Sequence, residues 1–208
     1  MIPIEIMLMF LGASALLALA PGPDNIFVLT QSALRGPSAG LIVTMGLCTG
    51  LVCHTMAVAF GVATVFRNSA VAFTVLKLIG AAYLLFLAWK AFREAAADLT
   101  AGTAAAIPLR RLYARGIIMN ITNPKVSLFF LAFLPQFADP NRGALMGQMV
   151  FLGALFIVAT IVVFSAICFL AGAIGERLRR SPRVPVILSR ITGVVFVLLA
   201  LKLATSGR

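Results

Sequence analysis

The sequence predicts an all-α integral membrane protein with six transmembrane helices, arranged as two inverted three-helix repeats with broken first and fourth helices. Three observations predict this fold class. The composition is 62% hydrophobic and 11% charged, with a mean hydropathy of +1.08, whereas soluble domains are about 45–50% apolar and about 25% charged. Six stretches are apolar enough to span a bilayer. Two of these stretches carry a polar, proline-containing interruption near their midpoints.

A helix that spans a bilayer needs about 20 apolar residues. The stretches of this length are residues 6–33, 40–66, 70–90, 113–137, 145–174 and 185–204. Only the connection from Arg93 to Arg111 is long, and its Ala, Thr and Gly content with Pro108 is typical of a linker. We therefore predict one membrane domain of residues 1–208. Its first repeat covers about 1–95, a cytoplasmic linker about 93–111 and the second repeat about 112–208.

The first segment is interrupted by a polar pentad: Pro21, Gly22, Pro23, Asp24 and Asn25. Proline lacks a backbone donor and disfavours a helical conformation in the residue before it, so the helix must break or kink here. Such a break is tolerated inside a bilayer only where the freed backbone groups face protein or water. Asp24 is the only formal charge in this segment, and an intramembrane carboxylate marks a substrate or ion pathway. Asp24 could bind a substrate ammonium, carry a coupling proton or cap the helix that resumes at Asn25.

The fourth segment is interrupted in the same way by Asn123, Pro124 and Lys125. Lys125 could hold a substrate carboxylate or neutralise Asp24 as a structural ion pair, and the opposite charges predict that the two residues lie close together. Asn25 and Asn123 could satisfy backbone groups freed by the breaks or bind the ligand. Each half has three segments, so the second half enters the membrane in the opposite sense. Inverted repeats with discontinuous helices near the midplane are typical of secondary transporters.

Two further polar residues lie inside apolar segments. Lys77 could snorkel towards the outer membrane face or belong to the site. His54, the only histidine, could pack against a neighbouring helix and bond to it, or act as a proton relay. Small residues share its helix face and predict close helix contact there. They are Gly46, Gly50, Ala57 and Gly61.

The basic residues predict the orientation. Eleven of the 17 Lys and Arg residues fall at the connections after the first, third and fifth segments, against four on the opposite side. Cytoplasmic loops carry the excess of Lys and Arg. Both termini are therefore predicted to face outwards. The net charge of +11 is accounted for by this topology signal, and a nucleic-acid partner is not expected.

Other classes of function find little support in the sequence. Cys48, Cys53 and Cys168 lack CxxC spacing and nearby metal ligands, so neither a metal nor another cofactor is expected. A membrane thiol redox carrier would need facing cysteines, ideally at the breaks, and neither break contains one. One histidine and six carboxylates, with only Asp24 deep in the membrane, make a poor case for an enzyme. A passive channel is harder to exclude, because coupling leaves no firm mark in a sequence.

Four motifs give the chain a family resemblance. They are APGPD at residues 20–24, LKLIGAAYL at 76–84, NPK at 123–125 with PQF at 135–137, and RITG at 190–193. Through them the chain resembles the LysE/RhtB family of bacterial amino-acid exporters over nearly its whole length. The resemblance implies a six-helix, multi-pass exporter in the bacterial inner membrane, driven by the proton gradient. Its partners would be the lipid bilayer, protons and an amino acid or close derivative. The resemblance leaves open which substrate is carried and whether the chain forms a homo-oligomer.

Overall fold

The computed structural model describes residues 2–20, 22–68, 70–93, 108–180 and 183–205. Within these ranges all regular structure is helical. The predicted all-α fold class is therefore confirmed. Pro21 and most of the predicted linker, residues 94–107, lie outside the described residues.

The first half of the chain contains four helices. They are α1 (Ile4–Leu19), α2 (Pro23–Arg35), α3 (Pro37–Asn68) and α4 (Ala70–Arg93). The axes of α1 and α2 differ by 64°, so the first apolar segment is broken as predicted. Pro23 begins α2, where its missing N–H costs nothing because the first helical N–H groups have no partner within the helix. Gly36 (φ 86°) ends α2 in the left-handed region that favours glycine, and α3 follows at once.

The second half also begins with a bent pair. Its helices are α5 (Leu109–Ile121), α6 (Pro124–Leu128), α7 (Leu145–Arg180) and α8 (Arg183–Thr205). After α6 the chain continues as a π-helix (Phe129–Phe133) and a 3-10 turn (Leu134–Phe137), and a second 3-10 turn covers Pro140–Arg142. The bend between α5 and the stretch from Pro124 to Phe137 is 48°. Pro135 has no N–H to continue the α-helical pattern, which explains why the regular helix ends in this region.

Two stretches are long and apolar enough to cross a membrane alone, Pro37–Gly61 in α3 and Leu145–Ala171 in α7. The number rises to four if each bent pair forms one span, and α4 adds a shorter apolar stretch, Leu78–Lys90. These figures refer to the part of the chain that the structure describes. The broken first and fourth helices are confirmed, whereas the count of six transmembrane helices stays a prediction.

The helices pair in a way that supports the predicted repeats. Helix α3 packs against α5 and α7, helix α7 also packs against α1 and α2, and α4 packs against α8. If α1 corresponds to α5 and α3 corresponds to α7, the contact between α3 and α5 has its counterpart in the contact between α7 and α1. The α3–α7 and α4–α8 contacts map onto themselves. The correspondence is incomplete, because α2 also packs against α3 whereas α6 makes no comparable contact with α7. Both bent pairs lie beside the central α3–α7 pair, and the repeat boundaries stay a prediction.

Glycines allow α3 and α5 to approach closely. A Cβ atom on either Gly46 or Gly116 would overlap the backbone of the facing helix, and a Cβ on Gly50 would lie only 2.6 Å from Asn120 Oδ1. The prediction that small residues on this face of α3 mark a close helix contact is therefore confirmed for Gly46 and Gly50. It is wrong for Ala57, which is exposed, and for Gly61, whose Cβ position has no described atom within 4 Å.

The buried side chains form two clusters, one on each side of the helix breaks. The aromatic cluster is centred on the phenylalanines of α1, the π-helix, the first 3-10 turn and α7: Phe10, Phe129, Phe130, Phe133, Phe137 and Phe156. Their neighbouring rings have centroids 4.8–6.2 Å apart. The smaller aliphatic cluster joins α2, α3, α5 and α7 through Val28, Val43, Leu47, Leu112, Phe164 and Cys168.

Candidate functional site

A small cavity lies where the two helix breaks meet. It has a volume of about 20 Å³, counted as the space open to the centre of a water molecule. About 10–15 Å³ of such space is needed to hold one water, so the cavity admits water but not an amino acid. The structure therefore shows the site in a conformation that is too small for the substrate. The lining residues are Leu17, Ala18, Asp24, Leu47, Leu51, Asn120, Lys125, Val126, Phe156, Thr160 and Phe164.

Asp24 places a carboxylate at the first turn of α2, where it is only 4% exposed. Its Oδ2 accepts a hydrogen bond of 2.8 Å from Asn123 Nδ2, whereas its Oδ1 has no partner within hydrogen-bond distance among the described residues. The side chain of Asn120 lines the same cavity and also interacts with the carboxylate. The N-terminal end of a helix favours a negative charge, so α2 itself supports this carboxylate. The interpretation of Asp24 as a cap is wrong. Helix α2 begins at Pro23, its N-cap is Gly22, and no side chain makes a capping hydrogen bond there.

Asn123 connects the two breaks. Its Oδ1 accepts a hydrogen bond of 3.0 Å from the backbone N–H of Lys125 and so caps α6, while its Nδ2 donates to Asp24. An asparagine can do both because its amide carries an acceptor and two donors. The break in the fourth segment is thereby held against the break in the first.

Lys125 is buried beside the end of α1. Its Nζ donates hydrogen bonds to the carbonyls of Leu17 (3.2 Å) and Ala20 (3.0 Å). A cation is favoured there because the last carbonyls of a helix carry partial negative charge. The lysine and Asp24 line the same cavity, but the hydrogen bonds of Nζ go to α1 rather than to the carboxylate. Gly22 leaves room for this arrangement, since a Cβ there would lie 3.3 Å from Nζ.

Asn25 satisfies a backbone group that the first break leaves free. Its Nδ2 donates a hydrogen bond of 2.6 Å to the carbonyl oxygen of Ala18, in the last turn of α1. Its Oδ1 is buried and has no hydrogen-bond partner among the described residues. The side chain thus satisfies the backbone at the break, and it does not line the cavity.

The remaining predicted residues lie outside the cavity lining or outside the described side chains. His54 on α3 is half-buried. Its Nε2 lies 3.2 Å from the carbonyl oxygen of Asn120, and its ring centroid lies 5.7 Å from the ring centroid of Phe130. This geometry is that of a packed histidine bonded to a neighbouring helix. The side chain of Lys77 and the whole of Pro21 are not described. Pro124 opens α6 as Pro23 opens α2.

Two polar residues of the cavity were not predicted from the sequence. Asn120 is 3% exposed and its Oδ1 has no partner among the described residues, while Thr160 donates a hydrogen bond of 2.9 Å to the carbonyl oxygen of Phe156. Asn120 could have been found from its spacing, because it lies four residues after Gly116 on the buried face of α5. Thr160 sits inside a uniformly apolar stretch of α7 and gives no comparable signal.

All three cysteines are free, and none of them lines the cavity. Across the described ranges no group of three His, Cys, Asp or Glu residues could hold a metal ion. The polar side chains that line the cavity are one carboxylate, one ammonium, one amide and one hydroxyl, from Asp24, Lys125, Asn120 and Thr160.

Comparison with known proteins gives one family. The family model described as LysE type translocator matches residues 15–207. A homoserine/homoserine lactone efflux protein of Salmonella typhimurium is 36% identical over 197 residues, which is 95% of each chain. An uncharacterized membrane protein of Vibrio cholerae is 31% identical over 98% of each chain. A leucine efflux protein of Salmonella choleraesuis is 29% identical over 94% of this chain and 93% of the relative. No solved structure matches.

Proposed function

Because the chain belongs to the family of LysE type translocators, we propose that it exports amino acids or close derivatives from the cytoplasm in exchange for protons. It is a transporter and not an enzyme, as the members of this family are efflux proteins. Relatives named for homoserine, homoserine lactone and leucine efflux support a substrate of this size and class. The proposed location is the bacterial inner membrane, with both termini outside.

The observation that carries the proposal is the unpartnered Oδ1 of Asp24 at a small cavity that Lys125 also lines. A buried carboxylate oxygen without a donor is costly, and a substrate ammonium would supply that donor. The carboxylate lies at the meeting point of two broken helices, which is where secondary transporters of inverted-repeat design bind their substrates. Asp24 therefore holds the amino group.

Lys125 is suited to the other end of the amino acid. Its ammonium group has three donors, and two of them are used by the carbonyls of Leu17 and Ala20. The third remains for a substrate carboxylate. A zwitterionic α-amino acid carries its two charges a few ångströms apart, so both can be met inside one cavity.

The rest of the lining suits a neutral side chain. Leu47, Leu51, Phe156 and Phe164 give an apolar wall, interrupted by the hydroxyl of Thr160. Asp24 is the only carboxylate among the lining residues, and in this proposal it binds the amino group of the substrate. A second positive charge on the substrate would have no partner. We therefore expect aliphatic or hydroxylated amino acids to be carried in preference to basic ones.

Proton coupling follows from the same carboxylate. A proton that binds Asp24 from the acidic outer side removes its negative charge, weakens its hold on the ammonium and favours release there. The carboxylate then carries the proton inwards. Asp139, in the loop before α7, is a poor alternative carrier. The backbone N–H of Asn141 and the guanidinium of Arg142 hold its pKa below the usual value, so it stays ionised as the outer pH falls.

Coupling to the pH gradient separates this proposal from a passive channel, because a channel would only equilibrate the substrate across the membrane.

Substrate analogues test the proposed orientation. In inside-out membrane vesicles with an acidic lumen, labelled neutral amino acids should accumulate. An N-acetylated or decarboxylated analogue should compete about tenfold less well, because each lacks one charged end and forfeits a charge-assisted hydrogen bond. Vesicles from cells without the protein are the control. If the N-acetyl analogue were carried as well as the free amino acid, Asp24 would not bind the amino group.

A further inference from the structure

Two buried polar side chains on α2 are not used by the site described above. Gln31 is 3% exposed and Ser32 is 4% exposed. Gln31 Oε1 and Ser32 Oγ have no hydrogen-bond partner among the described residues. Most buried polar side-chain atoms are hydrogen-bonded, and each exception in a folded protein calls for an explanation. Two adjacent exceptions on one helix suggest a place where a polar molecule is received.

Gln31 lies on the same face of α2 as Asp24. It follows Asp24 by seven residues, which is two helical turns and about 10 Å along the axis. Val28 lies between them on this buried face and packs in the aliphatic cluster with Phe164, which also lines the cavity. The barrier between the carboxylate and the polar pair is therefore a single layer of apolar side chains.

The wall opposite Ser32 is built from small groups. A Cβ atom on Gly40 of α3 would overlap Ser32 Oγ and would lie 2.7 Å from Cys168 Sγ of α7. Helices α2, α3 and α7 are thus in close contact at this level without a large side chain between them. A modest separation of α2 from α3 and α7 would open a polar path from Ser32 to the Arg35 end of α2.

The other side of the cavity is different. There the aromatic cluster packs α1, the π-helix and α7 together. The unpartnered buried polar atoms found in the described residues all lie at the helix breaks or on α2, in Asp24, Asn25, Asn120, Gln31 and Ser32. The half of the molecule that contains Arg35, predicted to face the cytoplasm, is the one with polar groups available for a passing substrate.

We propose that Gln31 and Ser32 form a second, weaker subsite for a zwitterionic amino acid, on the path between the Asp24 cavity and the Arg35 end of α2. This inference rests on the proposed export function. An amide and a hydroxyl can hydrogen-bond both the ammonium and the carboxylate without a net charge. The uncharged side chains of Gln31 and Ser32 would bind the substrate less tightly than Asp24 and Lys125 do. Sites along a transport path must bind the substrate weakly enough for it to move on.

Substitution of the polar pair tests the subsite. Gln31→Met with Ser32→Ala should raise the KM for export about tenfold, the effect of losing a few neutral hydrogen bonds. The thermal stability of the purified protein should not fall through the loss of Gln31 Oε1 and Ser32 Oγ, because neither atom has a hydrogen-bond partner among the described residues. Leu34→Met, on the exposed face of α2, is the matched control and should change neither quantity. Unchanged KM in the double variant overturns the subsite. If the parent protein exports no amino acid, the proposed function itself fails.

Thiol labelling provides a second measurement that does not depend on the double variant. In a protein whose three native cysteines are replaced by serine, a Ser32→Cys variant should react with a membrane-permeant maleimide, and saturating substrate should slow the reaction. Ala132→Cys is the control and should remain unlabelled. Ala132 is as buried as Ser32 and lies in the aromatic cluster. The proposal is contradicted if Ser32→Cys is not labelled. It is also contradicted if saturating substrate does not slow the labelling.

Discussion

Asp24→Asn is expected to abolish export. The variant removes the charge that holds the substrate ammonium and the group that takes up the proton, so the initial rate should fall at least about a hundredfold. Asp24→Asn also removes one charge of a buried pair, but enough protein should fold for the assay, because the new amide oxygen can still accept the hydrogen bond from Asn123 and Lys125 keeps its bonds to the carbonyls of Leu17 and Ala20. Transport into inside-out vesicles, normalised to the amount of protein in the membrane, measures the effect.

Asp139→Asn is the matched control for this variant. It makes the same chemical change in an exposed loop, at a carboxylate that is paired with Arg142 and does not line the cavity. Export by this control should remain near that of the parent protein. Substantial accumulation by Asp24→Asn would contradict both roles assigned to the carboxylate.

Lys125→Met is expected to reduce both the amount of folded protein and its activity. It leaves the carbonyls of Leu17 and Ala20 without their donor and leaves Asp24 without a nearby positive charge. Removing one member of a buried charged pair can cost about 3–5 kcal/mol of stability. Membrane yield and thermal stability of the purified variant measure this cost, and vesicle transport measures the loss of carboxylate binding.

The double variant Asp24→Asn with Lys125→Met separates the two effects. In Lys125→Met the buried charge of Asp24 has no positive partner. The double variant removes that charge as well, so it should be more stable than Lys125→Met alone. It should nevertheless transport no substrate above background. Full transport by a well-folded double variant would show that the two charges serve the fold only.

The helix breaks could be predicted from the sequence because proline acts locally. Pro23 and Pro124 stand at the first position of their helices, and the polar residues that follow line the cavity or repair the backbone. The meeting of the two breaks was expected from charge, and the structure brings Asp24 and Lys125 to one cavity. Their immediate partners could not be foreseen, since those depend on how α1 ends and how the halves pack. The lysine contacts carbonyls, and the carboxylate contacts Asn123.

The site residues that could not be predicted from the sequence are single polar residues inside apolar segments. Asn120, Thr160, Gln31 and Ser32 are all buried, yet nothing in their local sequence separates a residue that lines a cavity from one that bonds to its own helix. Thr160 and Asn120 show both cases, because Thr160 bonds to the carbonyl oxygen of Phe156 whereas Asn120 Oδ1 has no described partner. The distinction depends on which helices face each other. That contact is decided by packing across the two halves.

Collapse of the pH gradient tests the central claim most directly. Inside-out vesicles that contain the parent protein are given an acidic lumen and a labelled neutral amino acid, with and without an ionophore that equalises the pH. The proposed mechanism predicts accumulation above the external concentration with the gradient, and equilibration only when the ionophore is present. Accumulation that is unchanged after the gradient has collapsed would contradict proton exchange at Asp24.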